Sequence, residues 1–491
     1  MSSCSTSCLG ASSPATLTEL VAIGAADAYL TADPTITFFR FRYNKYTNFA
    51  MEAINQTFQS QVSFGSETQL TLNRTGDLIY YQYVVIDLPG IRAVPNPGNL
   101  CGVGGIQFPC MDLDLDNPNA MCDPCGDGQP PVPWPANCCS SEEPDSNDDD
   151  PFNVPNFLDG FDSCTGLPHP FCHYTDAIGQ YLVRRACLVI GGQVIDTVYN
   201  DFMFMWEELA GKVGARLTEM IGKRFTRAQL VADSLYDRRL WVPLPFSYTR
   251  TAGNALPLVS LQFHGVQISV SFERLVKCIV VSDCNALVLK TNSCQAISQN
   301  DMQAMLETTY IYLDILERDR FAVGAFEQLI TQVQCFSTII NKSQAQLTLN
   351  FNHPTIELIW AVRRQCQEDM NNHFNFSGKY GRDPVLSASL RFNNQSRFAG
   401  QPGPYFRLVQ PYQHHSNIPD GYIYCYSFAL NPEDAQPSGS VNLSRIDSCE
   451  LLLDLQPEMF DNNGNVTVMV FARNWNVLRF RQGLAGIAFS S

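Results

Sequence analysis

Cys122 and Cys125 form a Cys-x-x-Cys pair, and the adjacent Cys138 and Cys139 follow after twelve residues; this is the densest group of cysteines in the 491-residue chain. Four thiolates at such spacing can hold a zinc ion, although Cys138 and Cys139 are an awkward pair of ligands for one tetrahedral centre. Disulfides are the competing chemistry, because Cys101, Cys110, Cys164 and Cys172 lie nearby. A Pro-rich loop with few large apolar residues needs a covalent or metal staple if it is to be ordered. A reducing compartment opposes disulfides, whereas an oxidising one permits them. Zinc, disulfide and free thiol therefore all stand as states of Cys122, Cys125, Cys138 and Cys139.

Other candidate chemistry is thinner. Asp112, Asp114 and Asp116 imitate the start of a calcium loop, but Asn117 occupies the position where such a loop needs Gly, and Pro118 follows. His414 and His415 are adjacent, and on an extended strand neighbours point to opposite faces, so a shared metal is disfavoured and a structural or surface role is expected. Seven Asn-x-Ser/Thr triplets, such as those at Asn55 and Asn375, are too short a pattern to be specific. The sequence has no Walker-type phosphate loop, no His-Glu-x-x-His and no Gly-x-Ser-x-Gly. These residues assemble no active site, so the expectation is a protein that is not an enzyme and uses no cofactor.

The elements that must position these residues are read from composition and period. A chain this long exceeds the size at which one core stops growing and should divide into at least two domains. With 31 Phe, 19 Tyr and only 16% charged residues, it has the bulky groups that pleated sheets bury. The net charge of −16 is localised: residues 93–175 contain 13 of the 48 acidic residues and no Lys or Arg, leaving 35 acidic against 32 basic residues elsewhere. The same stretch holds 14 of 29 prolines and 8 of 18 cysteines, which marks an insertion with its own character. Without clustered cations, direct nucleic-acid binding is not expected. The start has no basic, apolar leader and no run is long enough to span a bilayer, which suggests a soluble, non-secreted product.

Strand signals fill both halves. Ile36–Tyr43 and Leu78–Ile86 are rich in aromatic and β-branched residues, and Ala345–Asn352 alternates apolar and polar at every step. Cys449, Leu451, Leu453 and Leu455 share one parity, as do Val466, Val468 and Val470. Between Leu261 and Phe272 the parity changes at Gly265, which predicts a bulge. Helical spacing occurs at Phe202, Met205, Trp206, Leu209, Val213, Leu217 and Met220, and again at Phe326, Leu329, Ile330 and Val333. Thr16–Leu30 is expected to be a packed N-terminal extension, and Lys277–Gln299 the join between domains.

Several segments together are similar to the major capsid proteins of the nucleocytoplasmic large DNA viruses. They include Tyr29–Arg40 with Thr47–Glu52, Arg74–Ile79, Ala255–His264, Tyr312–Ala322, Asn350–Pro354, Tyr405–His415, Ser427–Pro432 and Gln436–Gly439. They keep their order from about residue 29 to about residue 439. The resemblance implies an all-β fold of two tandem jelly rolls with a few short helices. The expected organisation is an arm over 1–24, a first jelly roll over 25–276 carrying the insertion at 93–175, a linker over 277–304, and a second jelly roll over 305–491. It also implies a homotrimer of pseudo-hexagonal outline tiling an icosahedral shell. Neighbouring capsomers and minor capsid proteins would be the partners, with assembly in the host cytoplasm and membrane contact left open. A minor capsid or vertex protein of the same fold, and a carbohydrate-binding β-sandwich, are the alternatives. The insertion is far longer than the resemblance leads one to expect.

Overall fold

The alternating segments become strands, and their pairing divides them into two groups. The computed structural model describes residues 43–95, 172–212, 217–224, 226–281, 287–291 and 296–489, with isolated positions between 33 and 41. The first group contains β1 (Phe49–Thr57), β2 (Glu67–Thr71), β3 (Leu78–Leu88), β4 (Ile91–Pro95), β5 (Cys172–Tyr174), β6 (Val183–Ile190) and β7 (Gln193–Tyr199). It continues through β8 (Arg238–Pro243), β9 (Leu256–Pro257), β10 (Val266–Phe272), β11 (Ile279–Val281), β12 (Leu287–Thr291) and β13 (Gln303–Leu313). One sheet runs β1-β13-β3-β8, with β9 added to β3, and a second runs β2-β10-β6-β7. Ile79, Val84 and Ile86 from the first sheet and Leu70, Ala186, Ile268 and Val270 from the second share one buried core, as in a sandwich. The β6–β7 hairpin closes on Gly191 and Gly192, both at positive φ. At Gly191 a Cβ would also collide with the His264 ring, so only glycine fits there.

The second group contains β14 (Phe326–Ile340), β15 (Gln344–Thr348), β16 (Pro354–Arg364), β17 (Val385–Phe392), β18 (Gln395–Pro402), β19 (Ile423–Ser427), β20 (Val441–Asn442), β21 (Cys449–Leu455), β22 (Val466–Arg481) and β23 (Leu484–Ile487). Its sheets run β14-β22-β16-β19, with β20 on β16 and β23 on β22, and β15-β21-β17-β18. Along β21 every second residue is buried, as the parity of Cys449 to Leu455 predicts. Strands β16 and β22 are buried on both faces, which is why they read as nearly continuous apolar runs. Leu358, Trp360, Val362, Val466, Val468 and Val470 face the core of this second sandwich. Ile359, Ala361, Met469 and Phe471, at the opposite parity, face a different cluster to which the first group contributes.

Four helices lie at or near the contact between the two groups: α1 (Asn200–Ala210), α2 (Ser247–Arg250), α3 (Ile315–Val323) and α4 (Gln410–His414), the last continuing a π-helical turn over Tyr405–Val409. The periodic stripe beginning at Phe202 forms α1, but the helix stops at Gly211; Met220 lies in a separate short helix and Val213 lies outside the described residues. The helix predicted around Phe326–Val333 is instead strand β14. Phe326 and Ile330 pack into the first core, Val333 into the cluster between the groups, and Phe336 and Ile340 into the second core. A strand bordering three clusters loses its period of two, and its Ile and Thr content is the better guide.

Other expectations change in detail. The described positions from 37 to 48 carry no strand, and the first strand begins at Phe49. Gly265 is not a bulge but precedes the start of β10; the register shift in that strand falls at Ser271/Phe272. Residues 277–304 do not coincide with the change of sheet partners. β11 and β12 lie within that stretch and pair with β5 and β4, while β13 is bonded between β1 and β3. The change falls between β13 and β14, across α3. Thr16–Leu30 lies outside the described residues.

Candidate functional site

For a chain without a catalytic constellation, the residues of functional interest are those that hold its parts together and those it presents outward. Helix α1 is the chief connector. It is apolar nearly all round, as a helix enclosed by protein must be. Phe202, Met205, Trp206 and Leu209 pack against Ile359, Ile423 and Phe471 of the second sandwich, while Met203 joins the first core. Its ends are held by polar groups from the second sandwich. Arg363 pairs with Asp201 at 3.0 Å in the first turn. At the last turn the Asn417 backbone N–H donates to the Leu209 carbonyl at 3.0 Å, and its side-chain amide donates to that of Gly211 at 2.6 Å, satisfying acceptors the helix end leaves open.

A second clamp lies beside it. Asn371, at φ 58°, donates through its amide to the carbonyls of Val276 and Ile279, both at 2.7 Å. His373 stacks on Tyr181 with ring centroids 3.8 Å apart, and its Nε2 lies 2.9 Å from the Lys277 carbonyl. Burial pushes the His373 imidazole down to about 3, so it is neutral and donates from Nε2.

The most highly charged part of the junction surrounds Trp206. The guanidinium groups of Arg473 and Arg250 lie 3.9 and 4.5 Å from its ring centroid. Arg473 is bonded to Glu357, and His415 Nε2 makes an ion pair with Glu357 at 2.9 Å. His415 Nδ1 lies 3.0 Å from Glu433 Oε1. The side chains of Glu357 and His415 are wholly buried. Burial alone would raise the Glu357 carboxyl, but the charges of His415 and Arg473 and their hydrogen bonds hold it down at about 2. Burial would likewise lower His415; Glu357 and bonds to Cys425, Glu357 and Glu433 hold it well above the usual histidine value.

His414 and His415 therefore sit at the end of α4, not on a strand. His414 is half-buried, with Nδ1 2.9 Å from the Leu430 carbonyl, whereas the His415 side chain is wholly buried. Cys122, Cys125, Cys138 and Cys139, with the acidic triplet of Asp112, Asp114 and Asp116, lie outside the described residues. Of the described cysteines, Cys172, Cys187, Cys278, Cys335, Cys425 and Cys449 are free thiols, while Cys366 is disulfide-bonded. Among the described residues no group of three or more His, Cys, Asp or Glu is placed to hold a metal, and no helix is long and apolar enough to cross a membrane. Outward, β1 and β8 border the first sheet, and Met51, Ile315, Leu316 and Tyr412 are large apolar residues left exposed.

Two families match the sequence: the large eukaryotic DNA virus major capsid protein over residues 317–486, and the major capsid protein N-terminus over 37–100 and 160–314. The major capsid protein of Pyramimonas orientalis virus is 32% identical, over 97% of this chain and 99% of its own length. The chain belongs to the major capsid proteins of the large eukaryotic DNA viruses. A capsid protein of Phaeocystis pouchetii virus is 29% identical over the same shares. Among solved structures, the PBCV-1 virus capsid superposes with a TM-score of 0.64 at 25% identity, covering 93% of this chain and all of that one. The Faustovirus major capsid protein, at 12% identity and a TM-score of 0.60, shares the fold. The fold is thus a double jelly roll, and the family is one of structural capsid proteins, not enzymes. The boundary between the two family matches, at 314 and 317, agrees with the change of sheet partners across α3.

The junction is what sequence reasoning missed in this capsid protein. Its charged members, Arg250, Glu357, His415, Glu433 and Arg473, are too far apart along the chain for local spacing to reveal them. One signal is present: Glu357 and Arg473 interrupt otherwise apolar strand runs, and a charge in such a run needs a partner.

Proposed function

We propose that this chain is the repeating subunit of an icosahedral virus shell, assembled as a homotrimer. Two jelly rolls per chain provide six sandwiches per trimer, which suits a pseudo-hexagonal outline. Its partners are itself, the neighbouring capsomers and minor capsid proteins; it binds no nucleic acid directly, and it assembles in the host cytoplasm before residing in the virion capsid. The observation that carries this reading is near-full-length likeness to major capsid proteins combined with the double jelly roll. The first jelly roll is taken to run to Leu313 and the second to begin at Phe326, with α3 as the connection. A jelly roll tied to its neighbour by a buried helix and a charged cluster suits a shell brick that must keep one shape.

Protein copy number in purified particles tests the role. The major shell subunit is expected to be the most abundant virion protein, and a count of a few tens of copies would assign the chain to a vertex or minor position instead. For Cys122, Cys125, Cys138 and Cys139 the three chemistries have distinct signatures. Bound zinc appears as a stoichiometric metal-to-chain ratio, disulfides as thiols gained on reduction, and free thiols as neither.

A further inference from the structure

At the contact between the two jelly rolls, three cations and two carboxylates meet around one aromatic ring in a site largely closed to solvent. From the second jelly roll come Glu357 on β16, Arg473 on β22, His415 after α4, and Glu433 in the loop before β20. From the first come Trp206 on α1 and Arg250 at the end of α2. The other ionisable groups facing His415 or Arg473 are Cys425 on β19, whose thiol is bonded to His415, and Asp196 on β7; Asp434 adds its charge at Arg250.

We propose that this cluster is a proton-controlled latch between the two jelly rolls: the imidazolium of His415, held between Glu357 and Glu433, keeps the first jelly roll seated on the second, and loss of that proton loosens the seat. The geometry supplies the reason. His415 faces a different carboxylate with each ring nitrogen, Glu357 at 2.9 Å and Glu433 at 3.0 Å. A neutral imidazole has one N–H and one lone pair, so one of the two carboxylates would face a lone pair, and only Glu433 has solvent within reach to replace the lost donor.

Glu433 is the group able to leave. Its side chain is 21% exposed, whereas that of Glu357 is 0% exposed. Glu433 also anchors what holds the first jelly roll. Its carboxylate accepts from the Ser416 N–H at 2.8 Å, next to the Asn417 that closes the last turn of α1, and its backbone carbonyl accepts from Arg250 at 3.1 Å. Retreat of Glu433 therefore frees both the α1 cap and Arg250 together.

The sign of the pH dependence is set by the direction of the shift. His415 is raised above its ordinary value, so its stabilisation is fully present below about pH 6.5 and is lost as pH rises through the folded value. Glu357, held down at about 2, acts only on the acid side. Asp196, raised to about 7 by burial, titrates over a lower window. Arg250, pushed down to about 9 by burial and Arg473, has the opposite sign, so the diagnostic range is pH 6.5 to 8.5.

Cys425 and Cys449 form a built-in ruler, both buried free thiols in the second jelly roll, the first beside His415 and the second in its own core. The full chain is labelled with iodoacetamide from pH 6 to 8.5, and the rate at each cysteine is read by peptide mass. Their ratio cancels the pH dependence of the thiols. The Cys425-to-Cys449 ratio is expected to rise by up to about tenfold per pH unit above 6.5, the slope of one released proton. In His415→Gln the ratio should be high and independent of pH. A wild-type ratio that stays flat, or a slope that survives in His415→Gln, overturns the latch; should that variant fail to fold, the wild-type ratio decides alone.

Discussion

Glu357 shows what a single residue contributes. Its carboxylate is fully buried and ionised because Arg473 and His415 stand against it. Replacing it with Ala leaves two buried cations facing each other, and removal of one partner of a buried pair costs about 3–5 kcal/mol; urea titration of Glu357→Ala should show a midpoint lowered accordingly. Asp196 makes the complementary case. It accepts from the Val333 and Thr197 backbone N–H groups, at 3.1 and 2.9 Å, yet burial outweighs these bonds and raises it to about 7. Its folded value lies above its unfolded one, so its contribution is present below about pH 3.9 and is lost as pH rises to 7. Asp196→Asn should flatten the stability profile between those limits, and an unchanged slope would reassign that titration. The partners of neither residue are legible in the sequence, although a charge at Glu357 inside an apolar run signals that one is needed. Glu357 and Arg473 are 116 positions apart, and their partnership exists only because β16 and β22 pair with Glu357 opposite Arg473.

At the scale of elements, strands with one dry and one wet face are the readable ones. β21 and the segment containing β15 alternate in sequence as they do in burial, since each covers one core. α1 is readable from its three-and-four spacing, because a helix wedged between two sandwiches still places its largest residues toward the broader contact. β14 reads as a helix for the same underlying reason that β22 looks uniformly apolar: both border more than one cluster, and period two survives only where one side is solvent. This places the energetic weight of the junction on aromatic residues of α1 and β22. Phe202 and Phe471, whose ring centroids are 5.7 Å apart, are each almost wholly buried. Phe202→Ala and Phe471→Ala should each cost about 3–5 kcal/mol, measured by denaturant unfolding. The double variant should cost less than the sum, as expected for side chains in contact.

Across the whole molecule, two sandwiches in tandem are implied by length, aromatic content and strand patterning, but their use as a shell brick rests on likeness to capsid proteins. The acidic insertion is expected to be separable from the sandwich it interrupts. Its two ends, residues 93–95 of β4 and 172–174 of β5, are strand residues held by β12 and β11, so only the stretch between those strands is a candidate for removal. Replacing residues 99–168 with a short Gly/Ser linker should leave unfolding midpoint and assembly state unchanged; loss of folding would make the segment part of the first sandwich. Self-association is what a shell brick must do above all else. Light-scattering mass of the purified chain at micromolar concentration, with particle images of the same sample, is expected to give three chains in a hexagonal outline, and a stable monomer would contradict it.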